Sequence, residues 1–119
     1  MNNHLPLDNI RVIELGPLIA GPFTGRLLGD FGAEVIKIEP PDKADPMRNW
    51  GQQKDGLGLQ WPIQSRNKKS ITLNLREPKG QEIFKQLVKD ADIIIENFRP
   101  GTMERWGLGY ETLKAINPG

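Results

Sequence analysis

Arg66 to Gly101 reads RNKKSITLNLREPKGQEIFKQLVKDADIIIENFRPG, and its periodicity decides the fold. Ile71–Leu75 alternates as a strand does. Pro78 then suits the first turn of a helix in which Ile83, Phe84, Leu87, Val88 and Ala91 form one apolar stripe. Asp92 turns the chain, and the run Ile93–Ile95 reads as a further strand buried on both faces. Strand, helix, strand in this order implies a parallel pair. In parallel sheets ligands bind beyond the carboxyl ends of the strands. Arg76, Asn97 and Arg99 fall there, so the stretch predicts a pocket for an anionic ligand.

The residues upstream repeat the pattern. Arg11–Leu15 (RVIEL) reads as a buried strand stopped by Gly16 and Pro17. Phe23, Leu27, Leu28 and Phe31 recur at helical spacing, with Pro22 in the first turn and Gly32 at the C-terminal cap. Glu34–Glu39 (EVIKIE) is a second strand, ended by Pro40 and Pro41. Residues 40–67 then lose all periodicity, being rich in Gly and Pro and carrying Trp50 and Trp61. They read as one long loop, with the tryptophans sealing it against the domain. Downstream, Thr102 suits the cap of a short turn closed by Gly107, and Tyr110–Ile116 reads as a last helix. The whole chain thus predicts an α/β fold, a Rossmann-like parallel sheet with flanking helices and right-handed crossovers. With four strands and a helix last, 1–119 reads as an incomplete sheet, the N-terminal part of a larger domain.

Composition narrows the function. The 119 residues carry 37% hydrophobic and 26% charged side chains, the balance of a globular domain. No purely apolar run exceeds the length of Ile93–Ile95, and MNNHLPLDN lacks the regions of a signal peptide. A net charge of +1 and few aromatics in the basic segments argue against nucleic acid. There is no cysteine, which removes disulfides and thiolate chemistry and fits a cytoplasmic protein. His4 is the sole histidine, so neither a His-based triad nor a metal site is expected. Gly16, Gly21 and Gly25 surround the first strand-to-helix turn, whose amides can face an anion, yet they do not spell G-x-G-x-x-G. Glu39 stands where a ribose-binding acid stands in dinucleotide folds, a match many α/β domains share. Arg99 and Arg105 have a bland reading as well: surface pairs with Glu96 or Glu104.

Taken in order, RVIELGPLIAGPF, LLGDFGAEVIKIEPP, DPMR, NKKSITLNL, REPKGQEIF, DADIIIENFRPG and LGYETLKAINP resemble the N-terminal portion of a family III (CaiB/BaiF type) coenzyme A transferase, from Leu7 to Gly119. The resemblance implies an enzyme that moves CoA from an acyl-CoA donor to a small carboxylic acid through a covalent aspartyl intermediate. That aspartate is expected beyond residue 119, so no catalytic residue is assigned here. No permanently bound cofactor is expected. A homodimer is expected for the full-length protein, its dimerisation being in doubt for residues 1–119 alone.

By the same resemblance, Ile19 and Ala20 line the nucleotide pocket, although the family often has a polar residue at the first. Pro40 lies where some members carry an arginine near the adenosine phosphate. Leu73, Asn74, Leu75 and Arg76 match the strand end flanking adenine and ribose phosphate. Asn97, Phe98 and Arg99 match the segment beside pantetheine and diphosphate, and Arg105 matches a basic residue on CoA phosphate. The α-methylacyl-CoA racemases share the pattern but tend to lack Asn in E-N-F-R-P-G, which favours the transferase over the racemase reading. A non-catalytic CoA-binding fragment is the third alternative.

Overall fold

A computed structural model describes residues 4–119. Its centre is a parallel sheet of four strands: β1 (Arg11–Glu14), β2 (Glu34–Glu39), β5 (Lys68–Thr72) and β6 (Ile93–Ile95), in the spatial order β5-β2-β1-β6. Helix α1 (Ala20–Asp30) connects β1 to β2, and α3 (Pro78–Val88) connects β5 to β6. Two short helices follow, α4 (Thr102–Arg105) and α5 (Tyr110–Ile116). The strand–helix alternation expected from the sequence is therefore present, and the sheet is parallel throughout.

Strand pleating divides the core in two, because neighbouring side chains point to opposite faces. Val12 and Val35 pack on one face with Ala33 and Leu28, beneath α1. Ile13, Leu15 and Ile38 pack on the other with Phe84, Val88, Met103, Leu108 and Leu113 from α3, α4, the turn after it and α5. Asn117 ties the end of α5 to α3, donating from Nδ2 to the carbonyls of Val88 (2.9 Å) and Ala91 (2.8 Å). The Val88 carbonyl ends α3 and also accepts from the Ala91 amide at 3.2 Å, so Asn117 fastens the turn that follows the helix.

Five local expectations are corrected. Residues 40–67 are not one loop. They hold a 3₁₀ turn at Pro46–Asn49, a small antiparallel pair, β3 (Gln53–Lys54) with β4 (Leu57–Gly58), and helix α2 (Gln60–Ser65). Trp61 is buried beneath the Arg48 guanidinium, 4.0 Å from its ring centre, whereas Trp50 stays 48% exposed and seals nothing. The third strand starts at Lys68, ahead of the expected Ile71, because it is an outer strand and tolerates polar residues. Leu73 still extends its ladder by donating to the Glu39 carbonyl at 2.9 Å.

Strand β6 is half-buried, since it too lies at an edge of the sheet. Gly101, at φ 81°, precedes α4 in the capping position expected of Thr102, which is the first helical residue. Finally, α1 turns its glycines inward. Gly21, Gly25 and Gly29 are buried, while Phe23, Leu27 and Phe31 are 41%, 40% and 54% exposed.

Candidate functional site

The inward glycines have a cause beneath them. On the α1 face of the sheet, Glu14 and Lys37 are register partners of adjacent strands, and both are almost wholly buried. Lys37 Nζ reaches Glu14 Oε1 at 2.9 Å, Asp45 Oδ2 at 2.8 Å and the Gly16 carbonyl at 3.1 Å. Lys68 Nζ takes the other Glu14 oxygen at 2.6 Å and donates to the Pro22 carbonyl at 2.8 Å. A Cβ on Gly25 would stand 2.1 Å from Glu14 Oε2, so helix and carboxylate fit only without one.

Alongside, Glu39 accepts from Arg48 Nε (3.0 Å) and Nη2 (2.6 Å), from the Asp45 amide (2.8 Å) and from Ser70 Oγ (3.2 Å). Three acids and three bases therefore meet in the buried cluster Glu14, Glu39, Asp45, Lys37, Arg48 and Lys68. Buried charges persist when paired and hydrogen-bonded in this way.

Titration follows that pairing. Burial alone would raise the Glu39 carboxyl, but the Arg48 hydrogen bonds, the Asp45 amide and the charges of Arg48 and Lys37 outweigh it and hold it at about 2. Burial lowers Lys68, against the opposing pull of Glu14. Glu39, whose position generically matches a ribose-binding acid, is thus committed to Arg48 and Ser70. Sequence reasoning missed this cluster. Its signal was a charged residue set inside each apolar strand, Glu14 in RVIEL and Lys37 in EVIKIE.

Beyond the carboxyl ends of the strands lies a cleft of about 180 Å³. Pro40, Leu73, Asn74, Leu75, Arg76 and Phe98, six of the expected site residues, line it together with Thr102 and Trp106. Asn74 Oδ1 accepts from the Arg76 amide at 3.1 Å, a side-chain turn that fixes the start of the β5–α3 connection. Phe98 and Trp106 meet edge to face, with centroids 5.3 Å apart, and wall the far side.

The remaining site residues lie outside the cleft lining. Ile19 and Ala20 open α1, both exposed. Asn97 binds the turn just before them, donating to the Pro17 carbonyl at 3.1 Å, and its Oδ1 would stand 1.6 Å from a Cβ on Gly16. Arg99 precedes α4 and Arg105 ends it, the Arg99 carbonyl accepting from the Thr102 amide at 3.1 Å. Arg105 Nη2 donates to Thr102 Oγ1 at 3.0 Å.

Three arginines without carboxylate partners gather in this region. Among the described residues Arg11, Arg48 and Arg66 each pair with a carboxylate, whereas Arg26, Arg76, Arg99 and Arg105 pair with none; Arg26, on α1, stacks over the Phe23 ring at 4.6 Å, and the other three lie beyond the strand ends. The alternative surface pairs of Arg99 and Arg105 with Glu96 or Glu104 do not form: Glu96 instead accepts from the Phe98 amide at 2.8 Å. Uncommitted guanidinia suit a phosphate, which they can hold through two parallel hydrogen bonds. A larger hollow, about 370 Å³, runs along the open edge of β6, but its charged lining is Asp92, Glu96 and Glu104 against Lys114. Three acids and one base make it a poor seat for an anion. Among the described residues no group of three or more metal-ligating side chains occurs, and no helix is long and apolar enough to cross a membrane.

Comparison with known proteins bears on this arrangement. The sequence model described as CoA-transferase family III matches residues 7–119. A succinyl-CoA–D-citramalate CoA-transferase of Chloroflexus aurantiacus is 62% identical over 115 residues, covering 96% of this chain and 29% of the relative. A human succinyl-CoA:glutarate CoA-transferase is 43% identical over 119 residues, covering 99% and 27%. Among solved structures, a CaiB/BaiF family protein of Brucella suis superposes with TM-score 0.87 at 42% identity, covering 97% of this chain and 32% of that one. A Mycobacterium tuberculosis protein gives TM-score 0.90 at 38% identity, covering 98% and 32%. The chain thus spans less than a third of these curated relatives.

Proposed function

The chain belongs to CoA-transferase family III, and from that premise we propose that the protein moves CoA from an acyl-CoA to a small carboxylic acid, with residues 1–119 supplying part of the CoA site. A short dicarboxylate thioester is the donor class, since succinyl-CoA stands in the names of the citramalate and glutarate relatives. The nucleophile is an aspartate outside residues 1–119. It attacks the thioester carbonyl to give a mixed anhydride and CoA thiolate. The thiolate returns to form an aspartyl-CoA thioester, releasing the donor acid, and the acceptor carboxylate then takes the CoA by the same two steps. Homodimerisation and a cytoplasmic location complete the reading.

One observation carries it: three guanidinia without carboxylate partners, beside a cleft at the carboxyl ends of a parallel sheet. In the reading, Arg76 and Arg105 take phosphate groups, and Arg99 stands by the diphosphate. Leu73, Asn74, Leu75 and Pro40 flank the adenosine end, Phe98 and Asn97 lie beside pantetheine, and Ile19 and Ala20 line the nucleotide. Titration calorimetry with CoA tests it on the full-length protein. Arg76→Ala and Arg105→Ala should each weaken binding by about tenfold, the scale of one charge-assisted contact. Unchanged affinity in both variants overturns the assignment.

A further inference from the structure

Three successive residues of the β1–α1 turn are each held by a side chain from a different segment. The Gly16 carbonyl accepts from Lys37 on β2, the Pro17 carbonyl accepts from Asn97 beyond β6, and the Leu18 amide donates to Asp45 Oδ1 at 3.0 Å. Leu18 has φ 66°, a left-handed backbone that a side chain with a Cβ adopts only where its surroundings hold it. Asp45 is the residue best placed to hold it. Its side chain is buried, caps the 3₁₀ turn by accepting from the Met47 amide at 2.9 Å, and meets Lys37 through its second oxygen at 2.8 Å. The next two residues, Ile19 and Ala20, are exposed, and their amides donate to no protein oxygen among the described residues.

We propose that Asp45 is a positioning residue for CoA: by fixing Leu18 in its left-handed conformation it sets where Ile19 and Ala20 present themselves to the nucleotide. Asp45 touches no ligand in this account. The inference rests on the CoA reading, which places Ile19 and Ala20 at the ligand. The same carboxylate joins the turn to the buried cluster of Glu14, Lys37 and Lys68, so the turn is anchored in the sheet rather than in a loop. Two functions of one side chain can then be separated chemically. Asparagine keeps an oxygen for the Leu18 amide but removes the charge facing Lys37; alanine removes both.

The test measures CoA affinity by calorimetry and the melting temperature of the full-length protein with Asp45→Ala and Asp45→Asn. Both variants should melt lower, since each leaves Lys37 short of a carboxylate. Affinity should fall by about tenfold in Asp45→Ala and by no more than about twofold in Asp45→Asn. Equal affinity losses in the two variants, tracking their melting temperatures, would mean that Asp45 only stabilises, and unchanged affinity in both also overturns the proposal. Where Asp45→Ala does not fold, hydrogen exchange at the Leu18 amide of Asp45→Asn decides. Slow exchange with retained affinity supports positioning, and fast exchange with retained affinity overturns it. Absence of CoA binding by the unaltered protein removes the CoA reading and this inference together, an outcome distinct from the failure of Asp45 alone.

Discussion

Glu39 shows what a single residue owes to its register. As the last residue of EVIKIE it is legible as a charged strand end, and nothing local says whether it faces ligand or protein. Pairing β2 with β5 brings Ser70 to it, and the 3₁₀ turn brings Arg48, so its carboxylate is spent on the fold. Its folded value of about 2 lies below the unfolded 4.5. A depressed carboxyl contributes stability that is present above its unfolded value and is lost as pH falls from there toward the folded value. The difference corresponds to about 3 kcal/mol, lost between roughly pH 4.5 and pH 2. Glu39→Gln should therefore lower the denaturation midpoint at pH 7 and flatten its dependence on pH across that acid window; an unchanged slope would contradict the pairing. Arg76 and Arg99 were legible only as positions beyond strand ends; both follow their strands in the structure and neither pairs with a carboxylate, and their contact with a ligand is part of the proposal.

At the scale of the element, α1 was found from its sequence, but the face it buries was not. Phe23, Leu27 and Phe31 keep helical spacing, which ordinarily marks the buried face. What the inner face of α1 meets explains this: Gly25 sits on the charged cluster at Glu14, Gly21 against Asn97, and Gly29 against Val35 and Asn67. The cluster in turn depends on pairing between strands far apart in sequence, which no window of one helix contains. Gly25→Ala tests this directly. Alanine is the better helix former by about 1 kcal/mol, yet its Cβ would fall 2.1 Å from Glu14 Oε2. Net destabilisation of about 1–3 kcal/mol by chemical denaturation is expected from the overpacking; a stabilised variant would contradict the placement of α1. The segment 40–67 escaped for a simpler reason. Its 3₁₀ turn and two-residue strands are shorter than any period can register, and they are fixed by Asp45, Met47 and Trp61 rather than by pattern.

For the whole molecule, the alternation of strands and helices announced a parallel sheet, and the strand order came only with the structure. That order leaves β6 at an edge, with its outer side unpaired among the described residues and a 370 Å³ hollow beside it. An open apolar edge is a template for association. Light scattering on residues 1–119 should show species larger than 13.4 kDa that grow with concentration, and a sharp monomer at all concentrations would contradict an open edge. The same order also gathers Pro40, Leu73–Arg76 and Phe98 at one end of the sheet, away from the acid-lined hollow, and the central claim is that CoA binds at that end. Amide chemical-shift mapping of the full-length protein with CoA tests this most directly. The account predicts shifts at Ile19, Ala20, Leu73–Arg76, Asn97–Arg99 and Arg105. Shifts within residues 1–119 confined to the hollow beside β6, around Val88, Tyr110 and Asn117, would contradict it.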